Sequence, residues 1–310
     1  MNLRQLRYFV KVVETGNMTR AAEQLFVAQP ALGMQIRQLE EDLGVALLER
    51  HSRGVSPTRA GRLLDERART ILALVEETHR EVSACDREES ETIRLGLTPA
   101  LMLVIGPELA VAARDRLPKV FLSLAEEMSH RLVDALARGE LDFALAFDVP
   151  DQAQFARTTL LQDDLVLVMP PGRGPGGPVA FAEALEETLA MPESRDSVHD
   201  LVIRTARDVG IEPKIGYEVR SIAAIKHLVE RGAAAGILPY ASVHAEVRAG
   251  TLQARPIVSP HLRRTLFLAR AAARPPFRNE VALTGVIRAV LANPSDVIGP
   301  YASALPPQEP

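Results

Sequence analysis

Apolar positions in the first fifty residues recur at helical spacing. Leu3, Leu6, Val10 and Val13, with Phe9 beside them, lay one face along a helix that Gly16 and Asn17 end. Thr19 then serves as N-cap of a short helix running to Leu25, whose Ala21 and Ala22 let a neighbouring helix come close. After a tight turn from Phe26 to Ala28, Leu32, Ile36, Leu39 and Leu43 form the buried stripe of a third helix, closed by Gly44. This is a helix-turn-helix pattern. LLER, HSRG and VSPT follow as strand, turn and returning strand, a hairpin wing. Thr58 caps a long helix in which Leu64, Ala68, Ile71, Val75, Thr78, Val82 and Cys85 repeat at spacings of four and three, a seam suited to pairing with a second copy. DREESE, 86–91, is a charged break.

Beyond it short apolar runs alternate with helical patterns: IRLGL, a helix near 101–115, VFLSLAEEM, a helix from 130, FALAF and DLVLVM. A second series follows the Gly/Pro loop at 170–178, and TLFLAR at 265–270 leads to a last helix near 278–292. The texture predicts an α/β fold of two lobes crossed twice by the chain, with a ligand cleft between them. The predicted organisation is a winged helix-turn-helix over 1–58, a linker and dimerisation helix over 59–88, and an effector-binding domain over 89–295. Lobe I takes 91–163 and 267–295, lobe II takes 164–266, and 296–310 is a flexible, proline-rich tail.

Charge sharpens the picture at one end only. The chain of 310 residues carries a net charge of −4, which excludes a generally basic nucleic-acid coat, yet residues 1–62 hold nine Arg and Lys against six Asp and Glu. One cysteine, Cys85, excludes an intrachain disulfide and a multi-cysteine metal knot. No apolar run is long enough for a membrane span, so a cytoplasmic protein is expected, with no cofactor and no metal.

The third helix is asymmetric. It opens QPALGM, uncharged and with a proline where the missing N–H costs nothing, and closes EED. A helix N-terminus favours phosphate and an acidic end does not, so the helix is expected to enter a DNA groove tip first. Gln29, Pro30, Gly33 and Met34 stand at that tip, where the Gln29 amide can pair with adenine and Ala31 and Met34 can touch a thymine methyl. Gln35 and Arg37 lie further along, Thr19 belongs to the same surface, Arg50 suits a phosphate, and Arg53 in HSRG suits a minor groove. Taken singly, each of these side chains reads equally as part of a solvated face.

LRQLRYFVKVVETGNMTRAAEQLFVAQPALGMQIRQLEEDLGVALLERHSRGVSPTRAG resembles the N-terminal domain of LysR-type transcriptional regulators, and ARGELDFAL, DDLVLV and IKHLVERGAAAGILP extend the likeness along the chain. MNLRQLRYFVKVVETGN and AQPAL look closest to the nitrogen assimilation control branch. The resemblance implies a winged helix-turn-helix, dimers through linker helices, tetramers, double-stranded DNA as partner, and a sensor like the periplasmic binding proteins. RNA polymerase is a further partner it admits. The sequence departs at Gly33 and Met34, where the family usually has serine followed by a polar or basic residue.

In the sensor, IRLGL runs into Thr98 and Pro99, and VFLSLAEEM runs into Ser129. Hydroxyls at strand-to-helix junctions face the crevice, so Thr98 and Ser129 read either as holders of a small carboxylate or other anion, with Ala100 and Phe147 as walls, or as plain N-caps. Ser197 and His199 resemble the family's opposing pocket wall. Two rival readings stand beside the sensor: a DNA-binding protein without an effector, and a two-lobed enzyme. Against the enzyme, there is no GxSxG or HxxxH pair with an acid between, and GRGPGG at 172–177 lacks the Lys and Ser/Thr of a phosphate loop.

Overall fold

The computed structural model describes residues 1–51, 54–84, 91–174, 176–274 and 276–305. The chain divides into two compact units, Met1–Glu89 and Ser90–Pro310.

The first unit contains α1 (Leu3–Thr15), α2 (Met18–Gln24), α3 (Gln29–Leu43), the hairpin β1 (Leu48–His51) and β2 (Gly54–Pro57), and α4 (Arg59–Ala84). Phe9, Val12, Ala21, Leu32, Ile36 and Leu39 fill its core. The hairpin pairs antiparallel from Leu48↔Pro57 to His51↔Gly54, and Val55 N–H donates to the Gly16 carbonyl at 2.8 Å, which ties the wing to the α1–α2 turn. Thr58 accepts from Gly61 N–H at 3.0 Å and so caps α4.

Several boundaries differ from the sequence reading. Asn2, a cap that the sequence reading did not name, precedes α1: its side chain accepts from Gln5 N–H while Gln5 Oε1 accepts from Asn2 N–H, a capping box that buries Gln5. The buried face is Gln5, Leu6, Phe9 and Val12, and Leu3 is 40% exposed. Asn17 rather than Thr19 caps α2, accepting from Thr19 and Arg20 N–H at 2.9 and 3.1 Å. Pro30 is the second residue of α3, still within the turn whose N–H groups have no intrahelical acceptor. Leu43 is largely exposed, and Gly33 takes its place on the buried side. On α4, Ala68 is fully buried and Leu64 packs on the core, whereas Leu63, Ile71 and Leu74 are exposed. The free apolar edge of α4 keeps Ile71 of the expected seam but runs through Leu63 and Leu74 in place of Leu64 and Ala68, and Cys85 lies outside the described residues.

The second unit opens with parallel strands β3 (Glu91–Leu97), β4 (Val120–Glu126) and β5 (Phe143–Phe147), joined by α5 (Pro99–Arg116) and α6 (Ser129–Ala137). The 15-residue β6 (Phe155–Met169) then leaves this lobe. The second lobe holds β7 (Val179–Ala180), α7 (Phe181–Ala184), β8 (Leu189–Met191), α8 (Ser197–Asp208), β9 (Ile215–Glu218), α9 (Ile222–Glu230), β10 (Ala235–Pro239), α10 (His244–Ala249) and β11 (Gln253–Val258). The chain returns along β12 (Arg263–Ala271) to α11 (Glu280–Val290), α12 (Pro294–Val297) and β13 (Ala302–Ala304).

One sheet runs β4-β3-β5-β12-β6-β10-β8-β9 through both lobes. The first half of β6 pairs with β12, and Leu165–Val168 pairs with β10. Within β6, Leu165 and Leu167 enter one apolar cluster and Val166 and Val168 another, so its far half is buried on both faces, as its unbroken apolar run requires. The crossing lies at Asp163–Asp164 against Arg263–Arg264, slightly before the expected return at residue 267. The described residues of GRGPGG are exposed, and the Gly177 carbonyl accepts from buried Arg255 at 3.1 Å.

The tail is not free over 296–305. Ile298 and Ala302 enter the first lobe's core, β13 pairs antiparallel with Leu161–Asp163, and the Tyr301 ring meets Tyr240 edge-on at 5.4 Å. Unpaired N–H and C=O groups on β6 explain the docking, since a short strand satisfies them. Residues 306–310 of the expected tail lie outside the described residues.

Candidate functional site

In the first unit, α3 presents Gln29, Pro30, Ala31, Met34 and Arg37 to solvent, with Gln35 half-buried. Met34 is 57% exposed. Gly33 is not part of that surface: it is buried, and a Cβ there would lie 3.8 Å from the Met18 Cε of α2. Thr19 is exposed on α2, Arg50 sits on β1, and Arg53 lies outside the described residues. The acidic end has structural work that sequence reasoning missed. Glu40 accepts from Leu47 and Leu48 N–H at 2.8 and 3.1 Å, fixing the wing's entry, and Asp42 pairs with the Met1 amino group at 2.7 Å. Phe26, in the turn between α2 and α3, was also passed over; it is 95% exposed at φ 55.

In the second unit, β3 delivers Thr98 to the start of α5 and β4 delivers Ser129 to the start of α6, both at the inter-lobe cleft. Neither is a side-chain cap. Thr98 occupies the N-cap position, only 6% exposed, yet its Oγ1 has no hydrogen-bond partner among the described residues. Ser129 is the first residue of α6, and its Oγ accepts from Phe147 N–H at 3.1 Å, which leaves its proton to donate. A small inner recess is lined by Thr98, Pro99, Ala100, Ser129, Ser197 and Arg264. It adjoins an outer cavity of about 500 Å³ that shares Ser129 and Ser197 and includes Phe147. His199 lines neither; its side chain turns to Asp200, with Nδ1 3.7 Å from Oδ1.

The cleft holds charges that sequence reasoning did not single out. Arg264, 4% exposed, donates to Asp163 at 2.8 Å and lays its guanidinium over the Phe147 ring at 3.5 Å from the centroid. Burial pushes Asp163, Asp148 and Asp196 above the ordinary carboxylate range, against Arg264, which favours their charged forms. Asp196 caps α8 through Val198 N–H at 2.9 Å. The only sequence signal for Arg264 was the RR pair entering an apolar strand.

Among the described residues no group of three or more His, Cys, Asp or Glu could hold a metal ion, and no helix is long and apolar enough to cross a membrane. A winged helix-turn-helix with an uncharged exposed tip, in one chain with a two-lobed domain around a cleft, defines a transcription regulator with a small-molecule-binding domain. Residues 3–62 match the bacterial regulatory helix-turn-helix protein of the lysR family, and residues 86–291 match the LysR substrate binding domain. The chain belongs to the LysR family of transcriptional regulators. It is 35% identical over 240 residues to the nitrogen assimilation regulatory protein nac of Klebsiella aerogenes, covering 77% of this chain and 78% of that one. It is 30% identical over 270 residues to the DNA-binding transcriptional dual regulator OxyR of Escherichia coli K12, covering 86% and 88%. Full-length CbnR complexed with target DNA superposes with a TM-score of 0.64 at 29% identity, covering 94% of this chain and 100% of that one. These relatives are regulators, not enzymes.

Proposed function

We propose that this regulator works in the cytoplasm as a homodimer, assembled into tetramers, that reads a pseudo-palindromic promoter site and responds to a small anionic effector. Paired α3 tips reach two half-sites spaced by about 34 Å or a multiple of it. Gln29, Ala31 and Met34 face base edges, with Gln35 and Arg37 behind them, and Arg50 and Arg53 belong to the wing's contact with the DNA backbone or minor groove. The exposed Leu63, Ile71 and Leu74 edge of α4 supports pairing between copies. In the effector domain the anion is held by Thr98 and Ser129, with Pro99, Ala100 and Phe147 around it and Ser197 opposite. RNA polymerase contact follows if the protein activates.

One observation carries the effector reading: a buried Thr98 hydroxyl without a protein partner, in a recess that it shares with the Ser129 hydroxyl. A buried polar group left unpaired costs stability, and a ligand oxygen removes that cost. A ligand that closes the cleft shifts lobe geometry and with it the spacing of the reading tips. Selection of bound sequences from random DNA tests the output. Two half-sites are expected, and Gln29→Ala should relax the preference within each. Unselective binding by the wild-type chain would overturn the DNA reading.

A further inference from the structure

The outer cavity is charged differently on its two walls. The first lobe contributes Asp134 from α6 and Asp148 from the end of β5; the second contributes Arg195, Arg204 and Arg207 from the start and body of α8. Among the described residues the ion pair across the gap is Arg195 with Asp134, at 4.0 Å, while Arg204 Nε donates to the Asp200 carbonyl of its own helix. Asp148 makes no ion pair among the described residues; its Oδ1 accepts only Thr265 N–H, at 3.3 Å. Burial raises its pKa while the Thr265 N–H and the charges of Arg264 and Arg204 lower it, so both guanidinium groups act on it from beyond ion-pair distance. The direct ion pair of Arg264 is with Asp163, at 2.8 Å.

Position makes this matter. Phe147 N–H lies 3.1 Å from Ser129 Oγ, and Asp148, the next residue, lines the outer cavity together with Ser129. A plain carboxylate seated on Ser129 and Thr98 would meet the Asp148 carboxylate as a like charge. A ligand with an ammonium beside its carboxylate would instead satisfy both.

We infer that the effector is a zwitterion of the α-amino acid class, its carboxylate on Thr98 and Ser129 and its ammonium on Asp148. The inference rests on the anion site proposed above and narrows it. The ammonium pairs with a first-lobe carboxylate that makes no ion pair among the described residues, and any further anionic group on the side chain meets Arg204 and Arg207 of the second lobe. Such a ligand draws the oppositely charged walls together.

The test uses the full chain. Thermal denaturation is followed with each standard α-amino acid and, for those that stabilise, titration calorimetry compares the matched des-amino carboxylate: propionate for alanine, glutarate for glutamate. At least one amino acid should raise Tm with concentration and bind about tenfold or more tightly than its des-amino partner, a gap equal to one charge-assisted contact. Asp148→Asn should bring that ratio close to one while carboxylate binding persists. Carboxylates binding as well as amino acids to the wild type, and weakened by Ser129→Ala, would overturn the zwitterion and keep the anion site. Absence of any amino-acid stabilisation overturns it too. Ser129→Ala and Thr98→Ala without effect on a ligand that does bind would remove the anion site itself.

Discussion

Replacing Thr98 with valine should strengthen the effector-free domain and weaken its hold on effector. The Thr98 Oγ1 is buried without a partner, and a hydroxyl in that state costs roughly 1–3 kcal/mol. Valine keeps the branched shape, and the backbone at φ −70 and ψ 157 is extended, where β-branched residues are at ease. The residue keeps a little solvent contact, so the lower end applies: a gain of about 1 kcal/mol, or about 2–4 °C in Tm for a domain this size. On the proposed anion site, the same hydroxyl hydrogen-bonds a charged group, a contact worth roughly 1.5–3 kcal/mol, and losing it should weaken binding roughly 10- to 150-fold. Ser129→Ala is the control of opposite sign. It strands the buried Phe147 N–H, which costs about 1–3 kcal/mol, so stability and binding fall together. Urea denaturation and titration with the stabilising ligand read both quantities. A Thr98→Val midpoint below wild type would refute the reasoning, because the hydroxyl would then be satisfied by the protein.

Gly61→Ala should destabilise the first unit by about 2 kcal/mol or more despite alanine's better helix propensity, since the new Cβ would sit 2.0 Å from the Leu47 carbonyl, which as backbone cannot step aside; thermal melts and loss of DNA binding check it. Gly299→Ala places a Cβ 2.3 Å from the Tyr240 ring at φ +127, and should cost about 1–3 kcal/mol and expose the β13 strand to carboxypeptidase trimming. For pH, Asp148 has a raised folded-state pKa, so its share of stability is present at low pH and lost as pH rises from about 3.9, the unfolded value, through the folded one. The midpoint of wild type relative to Asp148→Asn should therefore fall as pH rises over that window; a rising difference would refute the assignment.

Much of the fold was legible because period and punctuation agreed. Three helices, the paired wing strands and the linker were each written by apolar spacing, and both Gly16 and Gly44 adopt the left-handed conformation that helix ends need. Errors came where two residue types could do one job. Asn17 and Thr19 are both good caps, and the chain uses the one whose carbonyl-type oxygen reaches two N–H groups. Composition misjudged the tail because proline and small polar residues usually mark disorder, whereas Ile298 and Ala302 supply the few apolar anchors that hold a strand at an open edge.

The effector cleft was legible only in its hydroxyls. Thr98 and Ser129 follow strands in sequence, so their place at helix starts needs nothing but the βα alternation. Its charges are different in kind. Asp163 and Arg264 stand 101 residues apart, and only the antiparallel register of β6 and β12 makes them a pair. Asp148 and Arg204 come to opposite walls through separate lobes, and no local pattern in either segment announces it. A sequence reader who sees hydroxyls at helix starts therefore concludes that an anion binds. The assembled cleft adds the Asp148 carboxylate to the cavity that holds the Ser129 hydroxyl, and that one addition narrows the proposed ligand from an anion to a zwitterion.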